Sequence, residues 1–219
     1  MADTRSNIRR FTVKHHAARA RILAAAADLI ARDGVTNTGI EEIRKAAGVG
    51  GSQVSRFYPD KRALIRDVIA WQADLNLASQ CPPALGNLDS FAAWHQWAQM
   101  IMDRQSSRNF VGGCDFGSLA GQLVESDDAT RADLADGYQR WIGLFRDGLS
   151  AMRDCGDLRS DADPHALAVA TLSAMQGGML LSQTLRDINP LRDALRAALE
   201  RIEGFADEGH SIVYDVGGS

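Results

Sequence analysis

Apolar residues recur at helical spacing along nearly the whole chain, and the clearest short pattern lies between Ile40 and Lys61. Ile40, Ile43 and Ala47 fall at i, i+3 and i+7, with Glu41, Glu42, Arg44 and Lys45 on the opposite side, which predicts a short amphipathic helix. Gly48, just past the last periodic residue, is a C′ stop signal, and Val49 supplies an apolar plug for the turn. A second short helix beginning near Gly50 or Gly51 turns Val54 and Phe57 inward and leaves Ser52, Gln53, Ser55 and Arg56 facing out. Upstream, a helix over about 16–32 carries Ile22, Leu23, Ala26, Leu29 and Ile30 on its apolar stripe and stops at Gly34. Asn37 or Thr38 is the expected cap of the next helix. Two helices joined by a tight glycine turn, the second small and polar outside, form a helix-turn-helix, whose second helix enters a major groove.

The same period continues downstream. Asp60 caps a connector helix running through Leu64, Ile65, Val68, Ile69, Trp71, Leu75 and Leu77 to about Ser79, and Cys81-Pro82-Pro83 breaks it. Further helices are expected from Asn87 or Asp89 through Met102, from Cys114 to Val124, and from an Asp127 or Asp128 cap through Met152. Asp163-Pro164 opens the next, with proline at N1, and Asn189-Pro190 the last, which carries Leu191, Leu195, Ala198, Leu199, Ile202 and Phe205. No alternation of period two is long enough for a sheet, and there is no internal repeat. The expected fold is all-α with two domains: a basic flexible arm over 1–15, a helix-turn-helix domain over 16–62, a helical domain over 63–208 and a frayed tail over 209–219. With no Ser, Gly or Pro-rich spacer between the halves, their boundary is expected inside the connector helix.

From Ala20 to about Gln72 the chain resembles the DNA-binding domain of the tetracycline-repressor (TetR) family of bacterial transcription regulators. The resemblance is carried by Ile22, Ala25 and Ala26, by Gly34 and Thr38, by Ile43 and Ala46-Ala47-Gly48-Val49, and by Arg56-Phe57-Tyr58-Pro59-Asp60-Lys61 leading into Leu64. The chain departs at Gly50, Ser55, Phe57 and Tyr58, where the family often has Ser, Tyr, His and Phe. The resemblance implies a dimeric repressor that leaves a double-stranded operator when a small-molecule inducer binds its C-terminal domain. It also implies a phosphate contact for the Thr38 hydroxyl.

Charge sharpens this division. Residues 1–62 hold 12 Lys and Arg against 6 Asp and Glu, a net of +6, whereas the remainder holds 12 against 22, a net of −10. A basic N-terminal part suits phosphate contact and counterion release. The polar arm with Arg5, Arg9, Arg10 and Lys14 reads either as a disordered tail or as a minor-groove arm. With 45% hydrophobic residues the chain can bury an ample core. It has no apolar run of about 18 residues, so no membrane span is expected. Three scattered cysteines suit reduced thiols in a cytoplasm. Enzyme patterns fail on spacing: Asp115-Phe116-Gly117 has no accompanying kinase motifs, and Gly117-Ser118-Leu119-Ala120-Gly121 places Ser one position wrong for a nucleophile elbow. The five histidines never pair at i, i+4 with one another or with a cysteine, so neither a metal nor another cofactor is expected.

Candidate contacts follow. Arg56 is expected to meet guanine or else a nearby carboxylate, Gln53 to pair with adenine, and Ser52 to serve either base, while Thr38, Ser55, Tyr58 and Lys61 meet phosphates. In the helical domain Trp94, Trp97, Met100, Phe110, Phe116, Tyr138, Trp141, Phe145 and Met179 are expected to line an inducer pocket, with His95, Gln99 and Gln176 as its polar groups, or to pack as plain core. Small residues from Ala166 to Gly178 and the stripe Leu191, Leu195, Ala198, Ile202 are expected to close a four-helix bundle with a second copy. Cys114, at a helix start, is either a thiol of lowered pKa that senses electrophiles or a core filler. The competing functional class is an all-α ligand-binding or carrier protein that does not bind DNA.

Overall fold

The computed structural model describes residues 3–81 and 86–207, with side chains from residue 16 onward. Among them are nine helices: α1 (Asp3–Asp33), α2 (Ile40–Ala46), α3 (Gly51–Phe57), α4 (Lys61–Gln80), α5 (Phe91–Ser107), α6 (Asp115–Leu123), α7 (Asp128–Asp154), α8 (Pro164–Leu185) and α9 (Asn189–Glu203). The chain is all-α; one isolated antiparallel bridge joins Leu158 to Ala206 among the described residues. α1 begins at Asp3, not near residue 16, because no glycine or proline interrupts residues 3–16. The expected tail over 209–219 lies outside the described residues.

Glycine ends the early helices where the sequence predicts it. Gly34 takes φ 81° and donates to the Ile30 carbonyl, and Gly48 takes φ 60° with open space beside it, a left-handed turn that other residues adopt only with strain. Asp60 accepts from the Ala63 N–H at 2.8 Å, Asp127 from the Thr130 N–H at 2.9 Å, and Asp163 from the His165 and Ala166 N–H groups. Two caps differ from expectation. Ser90, not Asn87 or Asp89, caps α5, accepting from the Ala93 N–H at 3.2 Å. Gly39, with no side chain, stands at the N-cap of α2, and Glu42 reaches back to its N–H at 2.8 Å.

The chain divides into two compact units, residues 1–74 with 118–137, and residues 75–117 with 138–219. The first unit buries Ile22, Leu23, Ala26, Ile30, Ile43, Val49, Val54, Leu64, Val68 and Ile69. In the second, Trp94, Trp97, Trp141, Phe145, Leu149, Met152, Leu172, Met175, Leu191 and Leu195 belong to one continuous core. The division falls inside α4, α6 and α7, so each of these helices contributes residues to both units.

Candidate functional site

In the first unit, α3 is anchored by one fully buried residue, Val54, and by the half-buried Phe57. That anchoring leaves Ser52, Gln53, Ser55 and Arg56 exposed on one short face. Gln53 also has a structural duty: its Oε1 accepts from the Gly50 N–H at 2.8 Å, at the start of α3. Ser55 Oγ reaches the Ser52 carbonyl only at 3.5 Å, leaving its hydroxyl weakly held.

Two expected phosphate contacts are corrected. Thr38 is 1% exposed, and its hydroxyl donates to the Gly34 carbonyl at 2.8 Å. It fastens the α1–α2 turn and neither caps α2 nor faces solvent. Tyr58 is 5% exposed and donates to Asp67 Oδ2 at 2.8 Å; Arg19 holds the same oxygen at 2.5 Å. Burial, then this hydrogen bond to a carboxylate, pushes the Tyr58 phenol well above its ordinary value. Lys61 is half-buried and donates to the Val35 carbonyl at 2.7 Å, which leaves two ammonium hydrogens for another partner.

No local pattern points to the second segment of this unit, residues 118–137. Gln122 Oε1 accepts from the Val35 N–H at 2.9 Å, Arg62 pairs with Asp127 at 2.6 Å, and Arg66 pairs with Asp133 at 2.5 Å. Each joins residues more than sixty positions apart, beyond the reach of any local pattern. The i, i+4 spacing of Arg62 and Arg66 was the nearest signal.

In the second unit the proposed inducer set separates. Trp94, Trp97, Trp141 and Phe145 are at most 1% exposed and pack edge to face, with Trp97 to Phe145 centroids 5.0 Å apart and Trp94 to Phe145 5.2 Å. Trp97 Nε1 donates to the buried Gln80 Oε1 at 3.0 Å, while the indole N–H groups of Trp94 and Trp141 are buried with no oxygen or nitrogen acceptor. Met179 lies in the same core, and Met100 packs against it. His95 and Gln99 face elsewhere, into a groove of about 530 Å³ between α5 and α9. Its floor includes Ala98, Met102, Leu195 and Leu199, and Arg192, Arg196, Glu200 and Glu203 edge it; His95 Nε2 lies 2.6 Å from Glu203 Oε1. Phe110 sits at φ 60°, and its carbonyl accepts from Arg186 at 2.6 Å.

A third group forms around the start of α6. Phe116 packs edge to face on Tyr138 at 5.0 Å, and Gln176 Nε2 lies 3.4 Å from Cys114 Sγ. Burial pushes the Tyr138 phenol up to about 12. Cys114 caps α6, its sulfur accepting from the Gly117 N–H at 3.2 Å. Its thiol pKa is nevertheless raised, because burial outweighs the lowering by the Gln176 and Gly117 hydrogen bonds. The expected lowering at a helix start is thus reversed, and the core-filler reading of Cys114 is the one the geometry favours.

The two helices expected to pair with a second copy behave differently. Leu191, Leu195, Ala198 and Ile202 of α9 are at most 6% exposed and belong to the subunit's own core, since α9 packs closely on α8: an added Cβ at Gly178 would lie 2.9 Å from Leu191 Cα. α8 keeps an exposed apolar edge, with Leu180, Leu181 and Leu185 at 63%, 54% and 62% exposure, continuous with exposed Ala166, Val169, Ser173 and Gly177. Among the described residues no helix is long and apolar enough to cross a membrane, and no three His, Cys, Asp or Glu side chains gather as a metal site would.

A family model described as bacterial regulatory proteins, tetR family, matches residues 22–68, and one described as a tetracyclin repressor-like C-terminal domain matches residues 91–198. The chain is 26% identical over 192 residues to an uncharacterized HTH-type transcriptional regulator from the lacX 3′ region of Lactococcus lactis, covering 83% of this chain and 93% of that protein. It is 25% identical over 181 residues to the transcriptional regulator AcuR of Cereibacter sphaeroides, covering 80% of each. A TetR transcriptional regulator from Chloroflexus aurantiacus shares the fold, with a TM-score of 0.72 at 21% identity, over 88% of this chain and 98% of that structure.

Proposed function

The chain belongs to the TetR family of bacterial regulatory proteins, and from that premise we propose that it is a cytoplasmic homodimer that holds a palindromic operator and leaves it when a small hydrophobic or aromatic effector binds. The observation that carries this reading is the face of α3. A seven-residue helix with one fully buried anchor presents the side chains of Ser52, Gln53, Ser55 and Arg56 to solvent. These side chains are short or planar donors suited to base edges, and Arg56 fits the two acceptors of guanine. Ser55 and Lys61 serve the phosphates and set register.

Dimerisation is assigned to the α8 edge. Three leucines more than half exposed on one helix form a patch that a two-fold mate covers by self-complementarity. Effector recognition is assigned to the second unit, at the α5–α9 groove, whose volume and mixed apolar and polar lining suit a small amphipathic molecule.

The test is a gel shift of the full-length protein on the DNA flanking its own gene. A retarded complex that Arg56→Ala abolishes, and whose protected half-sites lie about 34–36 Å apart or a multiple of that, supports the reading. No retardation on that DNA, or on duplexes selected from a random pool, sinks it. Gln99→Trp, which fills the groove from its rim, is expected to leave the shift intact while blocking release by an effector.

A further inference from the structure

We infer that Gln53 reads its base pair as a hydrogen-bond donor only, so that it selects guanine or thymine, and rejects cytosine, at that operator position. The inference rests on the operator-binding reading above and adds the chemistry of one base pair.

Two helices of the motif begin in the same unusual way. Gly39 precedes α2 and Gly50 precedes α3, both in extended backbone, and neither has a side chain to accept from the first N–H groups of its helix. In each case the residue at N3 reaches back to the glycine N–H: Glu42 Oε2 at 2.8 Å in α2, Gln53 Oε1 at 2.8 Å in α3. The task requires one acceptor oxygen. Glutamate supplies it, and its charge is also favoured at a helix N-terminus. α3 uses glutamine instead, on the exposed face of the helix, where a carboxylate would repel phosphate oxygens.

The Gly50 N–H also fixes how the carboxamide is turned, because only the amide oxygen can receive it. With the oxygen drawn back onto the helix start, the NH2 group is the part of Gln53 left for a partner. Glutamine pairs with adenine by presenting oxygen and nitrogen side by side to N6 and N7. The oxygen keeps a second lone pair, but drawn back onto Gly50 it no longer lies beside the nitrogen at a base edge, which revises the adenine contact expected from the sequence. A lone donor is satisfied by O6 or N7 of guanine or by O4 of thymine, accepts adenine only through N7, and meets another donor at cytosine N4.

The experiment begins with selection of operators from a randomised duplex pool by the full-length protein, followed by competition among the four bases at each position. One position is expected to favour guanine or thymine over cytosine by roughly tenfold. Gln53→Glu keeps an oxygen for Gly50 and replaces the donor by an acceptor, so the preference at that one position is expected to invert to cytosine or adenine. Hydrogen exchange at the Gly50 amide shows whether the cap is kept: protection in the wild type and in Gln53→Glu, and exchange several-fold faster in Gln53→Ala. A wild-type preference for adenine over both guanine and thymine at the position that Gln53→Glu alters overturns the inference, because a lone donor gains nothing at adenine N7 over guanine N7 and the fork must then have formed. Enriched operators with no position responsive to Gln53→Glu overturn it as well. A pool in which nothing is enriched defeats the operator-binding reading itself, a different failure from either of these.

Discussion

α3 and the aromatic centre of the second unit are alike in sequence, each a set of side chains expected to touch something other than the chain itself. The structure treats them oppositely. On α3 the four outward residues are all exposed, because a helix with one buried anchor has one way to sit. Around α5 and α7 the large aromatics close on one another at 0–1% exposure. Spacing on a long helix locates its apolar side but not whether that side faces a cavity or another ring. A short polar face is therefore legible as solvent-facing, whereas whether an aromatic set lines a cavity or fills a core is not.

The sharpest way to break this comparison is to truncate one residue from each region. Trp97→Ala removes a fully buried ring together with its bond to Gln80 and is expected to cost about 3–5 kcal/mol of stability. Arg56→Ala, on the exposed face, is expected to change stability by no more than about 0.5 kcal/mol while abolishing operator retardation. Urea titrations of both proteins check this. A Trp97 variant as stable as the wild type would mean that the centre is a loosely filled cavity.

Leu181→Glu tests the surface that fits neither side of the comparison, apolar yet exposed. If the α8 edge joins two copies, a charge there converts dimer to monomer in sedimentation and weakens operator binding, while the monomer keeps its helical content. An unchanged dimer would move the interface elsewhere. The expected small residues of α8 divide, Ala166, Ser173 and Gly177 exposed and Gly178 buried against Leu191, while the α9 stripe lies in the subunit's own core. Both stripes have the same period, so only packing tells them apart.

The same lesson explains Thr38 and Tyr58. A hydroxyl beside polar neighbours reads as solvent-facing, but the Tyr58 hydroxyl is taken up by Asp67, held in turn by Arg19 at 48 residues' distance from it. The glycine stops, the Asp60 and Asp163 caps and the order of the helices were legible because their causes are local. The Gln122, Asp127 and Asp133 contacts were not, because their partners are remote in sequence. Tyr58→Phe, which leaves the ring in place, is expected to cost about 1 kcal/mol at neutral pH. It should also flatten the alkaline limb. A phenol whose pKa is raised on folding keeps its proton longer in the folded state, so its contribution is complete below about pH 10 and is lost as pH rises beyond that. Melting temperatures between pH 8 and pH 11 that fall equally in the wild type and the Phe variant would show that another group sets the limb. Tyr138, raised to about 12 by burial, is the next to replace.

The smallest effect is expected at Asp127, in the 118–137 segment of the first unit. Its carboxylate accepts from the Thr130 N–H and hydroxyl and pairs with Arg62. The Thr130 N–H bond is the main reason that its pKa falls to about 2. A carboxylate whose pKa is lowered on folding stabilises the protein above the unfolded value, near 4, and that contribution disappears as pH falls towards 2. Asp127→Asn keeps an oxygen for the Thr130 N–H but loses the charge that Arg62 meets. The variant is expected to melt only slightly below the wild type at pH 7 and to converge with it as pH drops from 4 to 2. A melting difference that persists undiminished at pH 2 would show that Asp127 acts through its shape as a cap and not through its charge.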